Sequence, residues 1–153
     1  RMHRIVVING PNLNLLGGRE PGVYGRGSLE QIEEEMLAMA ERHGVELEFC
    51  QSNHEGELID IIQRCRQDAD CIIINAGGLT HYSVCIHDAL RAVEIPVIEV
   101  HMTNIYARED FRHQSLISPV AIGGIFGFGS TGYYLALQAA LDLLQISGGK
   151  NES

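Results

Sequence analysis

Lysine is almost missing from these 153 residues: the one copy, Lys150, stands in the polar tail GGKNES, while ten arginines are spread through the body of the chain. Imine chemistry through a buried lysine is thereby excluded. A carbonyl compound would have to be handled by proton transfer and fixed electrostatics. Cysteine is sparse as well. Cys50, Cys65, Cys71 and Cys85 sit in strand or helix patterns without C-x-x-C spacing, which reads as buried free thiols in a reducing cytoplasm rather than a disulfide or metal site. Positive charge is in short supply: the formal net charge is −9 and the pI near 5.1. That balance opposes nucleic acid and anionic membrane surfaces as partners and favours a small molecule. No apolar run reaches the length of a membrane span, and the first strand pattern begins so early that no presequence is expected. A cytoplasmic chain with one domain over 1–153 follows, its tail from about 147 disordered; this length buries roughly 68–70% of the unfolded surface.

What the chain does have is one long, unusual loop. The β-branched run Ile5 to Ile8 reads as a buried strand. The stretch that follows, from Asn9 to about Gly27, has neither helical nor alternating periodicity. Strand-to-helix loops usually take about 2–6 residues, so this one has the length of a lid or binding loop. It carries Asn9, Asn12, Asn14, Arg19 and Tyr24 among five glycines after Pro11, which is polar chemistry on a hinged segment.

The rest of the chain alternates helix and strand. Ser28 and Gln31 form a capping box, and Leu29, Ile32, Met36, Met39 and Ala40 recur at helical spacing to His43, with Gly44 as the stop. Glu30, Glu33, Glu34 and Glu35 form its solvated face and first-turn acids. Val45 to Cys50 alternates as an edge strand. Ser52 with Glu55 predicts a second capping box, with His54 and Asn53 as cap residues, for a helix lined by Leu58, Ile61, Ile62 and Cys65 and ending near Asp68. Cys71 to Ile74 lacks alternation and is expected at the sheet centre. After Asn75-Ala76-Gly77-Gly78-Leu79-Thr80-His81, a third helix carries Val84, Cys85, Asp88, Ala89 and Ala92, and His81 and Asp88 are expected on one helical face. The fourth strand, Val97 to Val100, runs into His101. Glu99 and His101, two apart on a strand, point to the same face, where a carboxylate orients the imidazole and favours its protonated form. A last strand, Val120 to Phe126, precedes GFGSTG and a helix from Thr131 to Ile146 that is apolar almost all round, as expected of a helix buried deep in a core or against another subunit.

Gly127, Gly129 and Gly132 match G-x-G-x-x-G, but that fingerprint belongs to a first strand-helix turn and needs a later strand bearing an acidic residue. Only a tail follows, so these glycines are assigned to tight strand-helix packing. Repeated strand-helix units predict a three-layer α/β/α domain with a doubly wound, flavodoxin-like parallel sheet of five strands in the order 2-1-3-4-5. Ligands bind such sheets beyond the carboxyl ends of the strands, at the switch between the first and third. The loops after strands one, three and four then converge on a pocket holding Arg19, Arg112, His81 and His101. A small anion is the expected ligand.

Three segments, NGPNLNLLGGREPGVYG, NAGGLTHYSV and EVHMTNIYAREDFRHQS, resemble in order the three signatures of the type II 3-dehydroquinate dehydratases, over about Arg4 to Ile146. The resemblance implies a hydro-lyase that converts 3-dehydroquinate to 3-dehydroshikimate through an enolate, with no metal or organic cofactor, in aromatic amino acid biosynthesis or quinate catabolism. Tyr24 matches the family's base and Arg19 its essential arginine. Ionising a tyrosine of ordinary pKa near 10 at pH 7 costs about 4 kcal/mol, so the adjacent positive charge is needed to lower it. Asn12 resembles the residue that stabilises the enolate oxygen, and His101 the acid that protonates the departing hydroxyl, with Glu99 behind it. Asn75, His81, Met102, Thr103 and Arg112 match contacts to the substrate carboxylate and hydroxyls, and Asp88 a contact the family can draw from a neighbouring subunit. A homododecamer built from trimers is the assembly the resemblance implies. The chain departs from the common pattern at Met102, Thr103, Gly78-Leu79, Tyr82, His87 and Tyr106, which bears on affinity rather than on the acid, base or arginine.

Other readings make different demands. A flavin or nucleotide module of the same fold needs a hydroxyl-rich phosphate cradle after the first strand, where GPNLNLLGG has none. A signalling receiver needs an aspartate where Asn75 stands. A catalytically inactive scaffold is hard to reconcile with Tyr24, Arg19 and His101 together.

Overall fold

The computed structural model describes residues 1–17 and 27–146. Its frame is five parallel strands, β1 (Arg4–Asn9), β2 (Glu46–Gln51), β3 (Cys71–Asn75), β4 (Val97–His101) and β5 (Gly123–Phe126), in the order β2-β1-β3-β4-β5. Among the described residues three helices, α1 (Leu29–Arg42), α2 (Glu55–Asp68) and α3 (Val84–Val93), connect successive strands, 3-10 turns join β4 to β5, and α4 (Thr131–Leu143) follows β5. The central strands are apolar throughout because both faces are covered. Ile5, Val7 and Ile73 pack with α1 and α4, whereas Val6, Ile8, Ile72 and Ile74 pack with α2 and α3. Each fully buried branched side chain contributes about 1.5–3 kcal/mol relative to exposure. The expected topology and the capping box at Ser28 are present, with the Gln31 backbone N–H donating to Ser28 Oγ at 3.2 Å and the Ser28 N–H to Gln31 Oε1 at 3.1 Å.

Several expectations change. Ser52 does not cap α2; it accepts from the His54 N–H at 2.9 Å and donates to Glu57, so the helix starts at Glu55. Nor do the neighbours cap it: His54 makes no side-chain cap bond, and Asn53 Oδ1 instead accepts from the Asn12 N–H at 2.9 Å. On α3 the inward face is Ile86, Ala89, Leu90 and Val93, leaving Val84, Cys85 and Asp88 exposed. Cys85 is therefore not a buried thiol, unlike Cys65 and Cys71. β5 begins at Gly123 rather than Val120, because Pro119 sets a 3-10 turn over Ser118–Val120 and pairing with β4 starts only when the Ile122 N–H reaches the Val97 carbonyl at 2.7 Å. α4 is buried along Tyr133, Ala136, Leu137, Ala140 and Leu141 but leaves Leu135 and Leu143 exposed, and it ends at Leu143. Gly132 packs against Ile125 and Val100, a β5–α4 contact that leaves the glycine motif a packing role. Among the described residues no helix is long and apolar enough to cross a membrane.

Beyond the strand ends, the loops after β1 and β3 interlock. A Cβ on Gly10 would lie 2.4 Å from the Ala76 carbonyl oxygen, and Gly77, at φ +61°, approaches Pro11. The obstacle at Gly10 is the Ala76 backbone, so nothing can rotate away. Gly10→Ala is expected to cost about 1–3 kcal/mol in denaturant unfolding, the usual range for overpacking, whereas parent-like stability would show that the two loops separate readily.

Candidate active site

The strand register sets the site. Asn9 pairs with Asn75 across β1 and β3, and His101 with Phe126 across β4 and β5, so the carboxyl edge of the sheet presents polar residues where β1 and β3 diverge. A pocket of about 130 Å³ opens there. Asn12, Asn75, His81, His101, Met102, Thr103 and Arg112 all line it. Glu99 lies behind His101, and Asp88 is exposed on the outer side of α3, away from the lining. His81 and Asp88 do not share a helical face: His81 ends a 3-10 turn, Gly77–His81, ahead of the helix. Arg19 and Tyr24 fall outside the described residues.

The loop after β1 splits its asparagines between frame and pocket. Asn9 is fully buried and belongs to the strand; its Nδ2 donates to the Cys50 carbonyl at 3.0 Å and its Oδ1 accepts from Tyr133 Oη at 2.6 Å. Tyr133 in turn accepts from Asn75 Nδ2 at 2.9 Å, while Asn75 Oδ1 accepts from the Gly77 N–H at 3.2 Å. The Asn75 amide is thus oriented from α4, with its acceptor occupied and one N–H still to offer. Asn12, left-handed at φ +73°, and the apolar anchors Leu13 and Leu16 bring the loop back to the pocket wall.

On the opposite wall, Glu99 and His101 form the chemical centre. His101 Nε2 lies 2.5 Å from Glu99 Oε2, with both residues buried. Burial alone pushes the Glu99 carboxyl up; hydrogen bonds from His101, Ser115 and Ser118 more than offset it, and the group ends below its ordinary value near 4.5. An ionised carboxylate only accepts, so Nε2 is the donor and Nδ1 is left for other chemistry. His81 Nδ1 faces the Gln114 carbonyl at 2.9 Å and must donate to it. Its pKa is lowered, chiefly by burial and with help from His101 and Arg112, so His81 offers the lone pair of a neutral ring. The two imidazoles stack with centroids 6.4 Å apart.

Arg112 and Arg108 supply the positive side of the pocket. Arg112 Nε donates to Glu109 at 2.7 Å, and Arg108 Nη1 to Thr103 Oγ1 at 3.3 Å. The sequence reading did not select Arg108; its spacing of four from Arg112 on the segment after β4 was the available signal. The arrangement can hold a small anion between guanidinium groups, place polar oxygens against Asn75 and His81, and set an imidazole-carboxylate pair beside it. The same pair also borders a groove of about 200 Å³ on the β5 side, with Tyr106, Ile122 and Phe126 in its wall. Among the described residues, no group of three or more His, Cys, Asp or Glu side chains is arranged to hold a metal ion.

The family model "Dehydroquinase class II" matches residues 3–141. The 3-dehydroquinate dehydratase of Halothermothrix orenii is 54% identical over 144 residues, covering 94% of this chain and 97% of that protein. That of Acaryochloris marina is 55% identical over 141 residues, 92% of this chain and 95% of its own length. The crystal structure of the type II dehydroquinase from Butyrivibrio crossotus superposes with a TM-score of 0.88 at 45% identity, covering 90% of this chain and 97% of that one.

The lowered Glu99 carboxyl has a consequence for stability. Folding favours the ionised form, so this contribution is complete above pH about 4.5 and is lost as pH falls through the lower folded value. Glu99→Gln is expected to be less stable than the parent at neutral pH and to lose less stability on acidification below pH 4.5. Parallel stability-pH curves for the two proteins would contradict an ionised Glu99.

Proposed function

This chain belongs to the class II dehydroquinase family, and we propose that it carries out the hydro-lyase reaction of that family, 3-dehydroquinate to 3-dehydroshikimate, with Tyr24 as base and His101 as acid. The observation that carries the acid assignment is the buried, donor-rich carboxylate 2.5 Å from His101 Nε2. Ionised Glu99 stabilises the imidazolium, so the proton delivered to the leaving hydroxyl comes from Nδ1. A base removes the proton next to the ketone, the electron pair moves onto the ketone oxygen as an enolate, and its return expels the hydroxyl that His101 protonates as water.

Tyr24 and Arg19 are assigned from their places in the loop signature. Arg19 lowers the tyrosine's pKa and Asn12 supports the enolate oxygen. Arg112 and Thr103 clamp the carboxylate end, and Asn75, His81 and Met102 bound the ring. Asp88, exposed on α3, is free to complete the site of an adjoining copy in a homo-oligomer of trimers. The pathway served is aromatic amino acid biosynthesis or quinate catabolism. The flavin-module reading draws no support from the comparisons, which point to dehydratases.

Mixing the protein with 3-dehydroquinate is expected to raise the conjugated enone absorbance, undiminished by chelator or by borohydride pretreatment. Tyr24→Phe should abolish both this rise and exchange of the substrate's acidic proton with solvent; substantial turnover would remove Tyr24 as the base. His101→Ala should slow hydroxyl loss more than proton exchange, and equal slowing of both would argue against separate acid and base.

A further inference from the structure

Residues 114–118 form a strap across the back of the site, and its bonds converge on groups already placed in the pocket. The Gln114 carbonyl accepts from His81 Nδ1 at 2.9 Å, the Leu116 N–H donates to the Thr80 carbonyl at 2.8 Å, and the Leu116 carbonyl lies 2.7 Å from His87 Nδ1. Between them, Ser115 Oγ accepts from the backbone N–H groups of Ile117 and Ser118, each at 3.0 Å. Those two donors occupy the lone pairs of the hydroxyl, so its own proton can only point outward. It points at Glu99 Oε2, 2.6 Å away. Ser118 Oγ donates to the other carboxylate oxygen at 2.5 Å.

We propose that Ser115, assisted by Ser118, is a positioning residue for the acid: its hydroxyl holds the Glu99 carboxylate in the orientation that fixes His101 with the proton on Nε2. This rests on the reading of His101 as the acid. A hydroxyl that already accepts two N–H bonds is polarised and is a stronger donor than a free one. A bond of this kind to a charged group is also much stronger than a neutral one. Glu99 is only 3% exposed, so bulk water is a poor substitute for that donor. Neither serine lines the substrate pocket, so substrate binding does not depend on them. The titratable and charged groups facing the pair among the described residues are His81 after β3, Arg108 and Arg112 after β4, and Tyr106 on the groove side. None of these four donates to Glu99.

Ser115→Ala tests the proposal. With a donor gone, the carboxylate takes up a proton at higher pH, so the acid limb of kcat should move upward by about one pH unit, giving a loss that approaches tenfold on that limb and fades by about pH 7, with KM little changed. Ser115→Thr should restore the profile because it keeps the hydroxyl. At a pH where the ring is neutral, nitrogen-15 NMR of His101 should show a single Nε2–H tautomer in the parent and a tautomer mixture in Ser115→Ala, a readout independent of turnover. An unmoved acid limb with an unchanged ring spectrum would overturn the proposal, as would a uniform loss of kcat that threonine does not rescue. Should Ser115→Ala not fold, Ser118→Ala on the exposed end of the strap must show the same upward shift, or the proposal fails. His101→Ala separates the two levels: unslowed hydroxyl loss there overturns the acid assignment itself, whereas slowed loss beside an unaffected Ser115→Ala overturns the role of Ser115 alone.

Discussion

A carboxylate taken into a protein interior forfeits hydration worth several kcal/mol, and Glu99 makes that transfer on β4, the strand next to the sheet edge. Three donors meet it, from His101, Ser115 and Ser118. Room for this comes from β5, where Gly124 sits against Glu99: a Cβ at that position would lie 3.3 Å from the Glu99 carbonyl and 3.5 Å from Oε1. The sheet, the strap and the edge glycine are thus all shaped around one ionised group. Its effect on the pocket passes through the neighbouring imidazole, whose tautomer and orientation it determines.

A second polar chain ties the opposite wall to the fold. Tyr133, on the last helix, reaches under the sheet edge to Asn9 and Asn75, which end adjacent strands. This lets α4 orient a pocket amide more than fifty residues earlier in the chain. Arg112, Arg108 and neutral His81 then give a locally cationic, donor-rich lining inside a chain of net charge −9. An anionic substrate is therefore attracted to the pocket and not to the surface at large.

The features legible in the sequence were those set by local pattern. Uninterrupted apolar runs gave the central strands, alternating strand and helix gave the topology, and the two-residue spacing of Glu99 and His101 gave their shared face. What remained hidden depended on contacts distant in sequence. Asn9 looked like a loop residue until Tyr133 was seen to bury it, and nothing near Ser115 or Ser118 signals a carboxylate sixteen and nineteen positions earlier. The start of α2 was misplaced because Ser52 and Glu55 match a capping box, yet the hydroxyl is spent on His54 and Glu57. His81 and Asp88 are seven apart, as on one helical face, yet His81 belongs to the 3-10 turn ahead of α3.

The most direct test of the account is a crystal structure of the His101→Ala protein soaked with 3-dehydroquinate, since this variant should bind substrate while eliminating slowly. The account predicts the substrate in the pocket between Asn12 and Arg112, its departing hydroxyl directed at the space vacated by the imidazole and its carboxylate toward Arg112. Substrate density in the Tyr106–Phe126 groove, or in the pocket with that hydroxyl turned away from Glu99, would contradict it.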